Sequence, residues 1–348
     1  MLTIQMVEDA VSVIQDPELQ KPLLSLGMIR NISVESNSVK LTLALTTSVC
    51  PKKDQIAAEI KGALMALPEV SAVVVEFAVL SQEELSKIFP KHPLLGIEKV
   101  RHVIAVASGK GGVGKTTVAV NVALALAAQG NHVGLLDADV YGPSVPIMLD
   151  LHAAPKWEGK KILPVLKYEL KIISLGMLSK QGEAMIWRGP MVSKAISQLL
   201  GQVMWGELDY LVIDLPPGTG DPSISIAQLI PQAAVLIVTT PQEVALADVR
   251  RSVELFQKFK LKILGLVENM SYFVCSHSTE PINIFSGGGG KRLSSEVDLP
   301  LLGNIPIEPE ICQGGDLGVP LLISNPISNA GNVFKSIAQH IVVETNRA

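Results

Sequence analysis

Ser108-Gly109-Lys110-Gly111-Gly112-Val113-Gly114-Lys115-Thr116-Thr117 is the stretch on which the reading of this chain turns. From Gly109 to Thr116 it fits G-x-x-x-x-G-K-[ST], and it stands where that pattern has a physical meaning. The apolar run Val103 to Ala107 precedes it as a strand, and a helix begins near Thr116. Glycines allow the backbone to curl so that successive N–H groups point inward at phosphate oxygens. The helix N-terminus behind them adds roughly half a positive charge. Lys115 is placed to reach the β- and γ-phosphates of ATP, and the Thr116 hydroxyl to complete a Mg²⁺ shell. A strand-to-helix turn that binds nothing has no need of Lys-Thr at its end. The expected phosphate cradle is therefore Gly109, Lys110, Gly111, Gly112, Val113, Gly114, Lys115, Thr116 and Thr117.

Two further strand ends carry carboxylates. Tyr210 to Ile213 runs into Asp214, followed by Leu215-Pro216-Pro217-Gly218-Thr219-Gly220-Asp221. A carboxylate there can hold Mg²⁺ through water, and Gly218 can offer its N–H to a γ-phosphate. Asp137-Ala138-Asp139 ends the strand after the loop's helix, at the carboxyl edge where ligands gather in such sheets. One of these aspartates could orient an attacking water. From Arg101 onward strands and helices alternate, which signals a parallel sheet covered on both faces. The expected strands are Val103 to Ala107, Val133 to Asp137, Tyr210 to Asp214, Val235 to Thr239, Ile263 to Glu268 and Leu301 to Ile305. Most are unbroken apolar runs, as strands buried on both faces require. The expected class is α/β, a doubly wound, mostly parallel P-loop NTPase sheet with a small N-terminal α/β domain.

That small domain reads as a helix over Met6 to Ile14 and two alternating strands, Ile29 to Val34 and Val39 to Leu45. A helix opened by Pro51 and a strand Val73 to Val79 complete it. Pro90, Pro93 and Gly96 mark a linker. The expected division is residues 1–88, a linker over 89–100, and 101–348. At 348 residues, with 48% hydrophobic and 18% charged residues, the chain describes a well-buried protein. Its net charge of −4 argues against nucleic acid and anionic membrane as partners, and 4% aromatics against a base-stacking platform. No apolar run approaches the roughly 20 residues that span a bilayer. Met1 to Ile14 carries acids and no signal pattern, so a cytoplasmic location is expected.

The early lysine in K-G-G-V-G-K-T-T resembles the deviant Walker loops of ParA/MinD-type ATPases. Several stretches resemble the Mrp/ApbC iron–sulfur cluster carriers within that class. They are Asp137 to Pro146, Trp187 to Met191, Asp209 to Asp221, Thr239 to Gln242, Glu268-Asn269-Met270-Ser271, Gly287 to Gly290 and Gly315-Asp316. Asp16-Pro17-Glu18, Ser25 to Met28 and Thr46 to Pro51 resemble an iron–sulfur assembly-factor domain. The resemblance implies an ATP-hydrolysing homodimer that passes clusters from assembly proteins to client apoproteins. It implies that Lys110 reaches the partner's nucleotide, that Asp139 positions the water, and that Asn269 reads the adenine edge beside the Ile305-Pro306 loop. A nitrogenase-type reductase is excluded, because no cysteine occurs from Pro51 to Val274.

The chain has three cysteines. The family's cluster motif is C-x-x-C after E-N-M-S, so that a dimer supplies four thiolates. Here Cys275 is present and Ser278 stands where the second cysteine belongs. A serine hydroxyl is a hard, mostly protonated, poor iron ligand. Three readings stay open: a labile cluster on two Cys275 thiolates with His277 or an external thiol; an ATPase scaffold that has lost its cargo; or Cys275 acting with another thiol. Cys50, before Pro51 at a helix start, is a candidate reactive thiol. Cys312 reads as an incidental loop residue.

Overall fold

The computed structural model describes residues 2–17, 21–46, 52–81, 84, 96–140, 142–178, 189–275, 277, 280–285 and 287–347. Two compact units result, Met1–His92 and Pro93–Ala348.

In the first unit, α1 (Ile4–Val11) starts at Thr3, whose hydroxyl accepts from the Met6 N–H at 3.3 Å. Strands β1 (Ile29–Glu35) and β2 (Ser38–Leu45) form an antiparallel hairpin whose turn holds Ser36 at φ 56°. Helix α2 (Lys53–Met65) then carries the chain back to β3 (Ala72–Val79), which pairs parallel to β2. Ile56, Ile60 and Leu64 recur along one face of α2 and are buried with Val39, Leu41 and Leu43 of β2.

In the second unit the strands are β4 (Val100–Ser108), β5 (Val133–Asp137), the short pair β6 (Trp157–Glu158) and β7 (Lys161–Ile162), β8 (Val165–Lys167), β9 (Leu170–Ser174), β10 (Leu208–Asp214), β11 (Ala234–Thr239), β12 (Lys262–Glu268), the short pair β13 (Phe273–Val274) and β14 (Pro281–Ile282), and β15 (Leu301–Asn304). Eight of them form one sheet in the order β15-β12-β11-β4-β10-β5-β9-β8, parallel except for the β8–β9 pair. Its helices are α3 (Lys115–Ala127), α4 (Val145–Met148), α5 (Gly189–Gln202), α6 (Asp221–Leu229), α7 (Glu243–Lys258), α8 (Gly289–Val297), α9 (Pro309–Leu317), α10 (Leu321–Ser324) and α11 (Asn329–Asn346). Two separate apolar clusters cover the two faces of the sheet, the expected doubly wound arrangement. Helix α3 is apolar nearly all round because it lies between the sheet and α11, with Val118 to Ala127 all buried.

The six strands expected from their apolar runs all form. Two more join them, β8 and β9. Ile97 is already buried in the second unit and β4 starts at Val100, so this unit begins inside the stretch that reads as linker. Cys312, read as a loop residue, lies inside α9, as do Gly314-Gly315-Asp316. In the glycine run, Gly288 caps α8, and Gly289 and Gly290 open its first turn. Among the described residues no helix is long and apolar enough to cross a membrane.

Candidate functional site

Register brings the chemistry together. In the parallel ladder Asp214 of β10 lies beside Val106 of β4 on one side and Asp137 of β5 on the other; Asp137 in turn pairs with Ser174 of β9. The carboxyl ends of the central strands therefore share one edge, and the loop after β4 curls over it. Gly112 and Gly114 adopt φ of 82° and 81°, which side chains other than glycine rarely tolerate. A Cβ at Gly114 would strike Asn269 Nδ2, and one at Gly109 would strike the backbone of Asp248 in α7. The loop is thus wedged between α7 and the end of β12.

Lys115, the first residue of α3, turns its ammonium inward. Nζ donates to Asp214 Oδ1 at 2.6 Å and lies 3.8 Å from Asp139 Oδ2. Thr116 Oγ1 donates to the other oxygen of Asp214 at 2.7 Å. Asp137 accepts from Ser174 Oγ at 2.9 Å and from the Asp139 N–H at 3.1 Å. Asp139 accepts from the Gly142 N–H at 3.2 Å. All three carboxylates are buried.

Burial dominates the titration of Asp137 and Asp214. It raises Asp137 to about 8, reinforced by the charge of Asp214 and opposed by Ser174, the Asp139 amide and Lys115. It raises Asp214 as well, with Lys115 and Thr116 pulling the other way. The raised pKa of Asp137 and of Asp214 marks a site short of positive charge. A divalent cation fits that deficit, and the hydroxyl and carboxylate oxygens at Thr116 and Asp214 are the hard donors that Mg²⁺ prefers.

Other expected residues behave less simply. Lys110 is exposed at the tip of the loop. The Gly218 N–H, expected to face a γ-phosphate, donates to the Ser108 carbonyl at 2.8 Å instead, because the end of β4 passes directly beneath it. Asn269 is buried against the loop and donates from Nδ2 to the Val113 carbonyl at 2.9 Å. Pro306 is buried, and Ile305 packs in the core. Cys275 is half-buried just after β13, and its thiol is free. Cys312 is exposed, with Sγ 3.9 Å from Asp316 Oδ2. Cys50 and Ser278 lie outside the described residues. Among the described residues no group of three or more His, Cys, Asp and Glu side chains could hold a metal ion. Ser174 was missed by the sequence reading, because β9 was. Glu268 was missed too, although it is a third acid at the end of an apolar strand.

Known proteins resemble this chain over both of its units. The family described as "NUBPL iron-transfer P-loop NTPase" matches residues 99–342, and the family "Iron-sulfur cluster assembly protein" matches residues 4–77. An iron–sulfur cluster carrier protein of Synechocystis is 43% identical, covering 100% of this chain and 99% of that protein. One from Deinococcus radiodurans is 42% identical, with 95% and 92% covered. Among solved structures, a nucleotide-binding protein of Archaeoglobus fulgidus in complex with ADP shares 37% identity at a TM-score of 0.57, over 64% of this chain and 88% of that one. The cell division ATPase MinD of Pyrococcus furiosus, 23% identical with a TM-score of 0.53 over 70% of this chain and 100% of that one, shares the fold. With a phosphate loop, the strand-end acids beneath it and both parts of the chain matched, this protein belongs to the iron–sulfur cluster carrier family of ParA-type P-loop NTPases that bear an N-terminal iron–sulfur assembly domain.

Proposed function

We propose that this chain binds ATP, hydrolyses it to ADP and phosphate as a homodimer, and carries an iron–sulfur cluster from assembly proteins to client apoproteins in the cytoplasm. One observation carries the ATPase reading: Lys115 is held 2.6 Å from Asp214 and 3.8 Å from Asp139, directly under a loop of left-handed glycines. An incoming triphosphate draws Lys115 off its carboxylates and onto the β- and γ-oxygens. Mg²⁺, held by Thr116 and Asp214, would supply the positive charge that offsets the phosphates. Asp139, freed of Lys115, accepts a hydrogen bond from the attacking water and aims it at the γ-phosphorus. Lys110, exposed at the tip, reaches the phosphates bound by the partner and stabilises charge on the leaving oxygen. Asn269 leaves Val113 to meet the adenine edge, and Pro306 backs that pocket.

Phosphate release from Mg-ATP tests the first half. Lys115→Ala is expected to lose turnover by about 10² or more, and a variant at wild-type rate sinks the assignment. The cargo rests on Cys275, which supplies one thiolate per subunit. Anaerobic reconstitution with iron and sulfide, followed by visible absorption, is expected to load wild type and not Cys275→Ala.

The serine at position 278, where the carrier motif has its second cysteine, favours a second reading: an ATPase scaffold without cargo. A wild-type protein that hydrolyses ATP yet takes up no cluster establishes the second reading and ends the first.

A further inference from the structure

Two stretches singled out in the sequence, Glu268-Asn269-Met270-Ser271 and the glycine run, each hold a residue that takes no part in the nucleotide site, Glu268 and Gly290. They meet each other. Glu268 ends β12 and is 2% exposed. Its Oε1 accepts from Ser271 Oγ at 2.9 Å, and its Oε2 accepts from the Gly290 N–H at 2.5 Å, in the first turn of α8. A carboxylate in that place satisfies an amide that the helix leaves unpaired, and the helix dipole favours its charge. The approach is close. A Cβ on Gly290 would lie 2.8 Å from Oε2 and 3.1 Å from the Glu268 Cβ, and one on Gly289 would strike the Pro241 carbonyl. Glycine at position 290 is what this contact demands.

Between Ser271 and Gly290 the chain carries Cys275 and His277. Its entry is pinned to the β15 end of the sheet, where the Ser271 N–H donates to Ile305 O at 2.9 Å and the Ile307 N–H to Tyr272 O at 2.7 Å. Within it, Phe273 of β13 pairs with Ile282 of β14. Its exit is the start of α8. Entry and exit therefore close on one buried carboxylate.

We propose that Glu268 is the positioning residue of the Cys275 segment, holding its two ends together so that the thiol is presented in one place. As a statement about cluster handling this rests on the carrier reading above; as a statement about the thiol it stands apart from that reading. The test is the alkylation rate of each cysteine in the full chain by N-ethylmaleimide, resolved by peptide mass spectrometry. The exposed thiol of Cys312 serves as an internal control for the reagent, and circular dichroism as the control for the fold.

Glu268→Ala is expected to speed alkylation of Cys275 about tenfold or more, the scale of losing charge-assisted hydrogen bonds, with Cys312 unchanged. Glu268→Gln keeps an acceptor for the Gly290 N–H and is expected to return Cys275 to within about threefold of wild type. An Ala variant with wild-type Cys275 reactivity overturns the proposal, and so does a Gln variant no slower than Ala. Should Glu268→Ala unfold, seen as loss of helical circular dichroism, Ser271→Ala decides. It removes the hydroxyl that reaches both the carboxylate and the carbonyl of Glu268 at 2.9 Å, leaves the Gly290 contact in place, and is expected to speed Cys275 alone about threefold; no change overturns the anchor. Wild-type protein that accepts no iron–sulfur cluster refutes the carrier reading and leaves the thiol measurement intact.

Discussion

Lys115 brings one positive charge into a site that holds Asp137, Asp139 and Asp214, and the balance of that site is its most sensitive property. Asp214→Asn keeps the shape, removes the negative charge that both Lys115 and Thr116 engage, and leaves the lysine a neutral amide oxygen in place of its 2.6 Å carboxylate partner. Hydrolysis is expected to fall about 10²–10³-fold in a phosphate-release assay, since electrostatic groups at a phosphoryl-transfer site act on that scale. A second variant reads the loop rather than the charge. Gly114→Ala places a Cβ at φ 81° and against Asn269 Nδ2, so both backbone strain and a clash oppose it. A loss of about 1–3 kcal/mol in denaturant unfolding is expected, together with loss of nucleotide binding by calorimetry. At this scale the sequence was readable where residue type alone defines the chemistry, as at Lys115, Thr116 and Asp214. It was silent where a partner is set by tertiary approach. No spacing shows that the Gly218 amide lies over the Ser108 carbonyl, or that Glu268 faces the amide of Gly290.

Strands of the sheet were legible for a different reason: burial on both faces writes an unbroken apolar run, as in β4, β10 and β11. The pair β8 and β9 escaped because its turn is unmarked. Tyr168 and Glu169 take φ of 49° and 62°, a conformation usually signalled by Asn-Gly, with neither residue present. With β9 went Ser174, the hydroxyl that supports Asp137. Pairing between elements also creates a titration that no motif announces. His102 of β4 stacks on Tyr210 of β10, with ring centroids 5.3 Å apart, and its Nε2 is buried without a partner. Burial, then the charge of Arg101, lower its pKa against a smaller pull from Asp209. The folded chain therefore binds this proton less readily than the unfolded one. Stability is retained above the unfolded value near 6.5 and declines as pH falls below it. His102→Phe keeps the stack and removes the titrating ring. Its stability at pH 7.5 is expected within about 1 kcal/mol of wild type, with a flatter loss between that pH and 5 in urea unfolding. A slope equal to wild type would place the acid sensitivity elsewhere.

The whole molecule is proposed to work as a pair, and the two lysines of the loop divide the labour. Lys115 is buried on its own carboxylates, whereas Lys110 is exposed. If Lys110 acts on the partner's nucleotide, each active site combines Asp139 of one chain with Lys110 of the other. Lys110→Ala and Asp139→Ala should then each be nearly inactive alone, yet complement when mixed. In a heterodimer the Lys110→Ala chain keeps its own Asp139 and receives an intact Lys110 from the Asp139→Ala chain, which restores one of its two sites. At equal concentrations random pairing makes about half of the dimers mixed, so about a quarter of wild-type turnover is expected from the mixture. A lysine acting within its own chain gives no recovery at any ratio, because neither variant then carries a complete site. Specific activity should likewise rise with protein concentration through the dimer dissociation constant for wild type, and remain near zero throughout for either variant alone. A mixture that stays inactive while sedimentation shows heterodimers would confine Lys110 to its own subunit and make each P-loop an independent site.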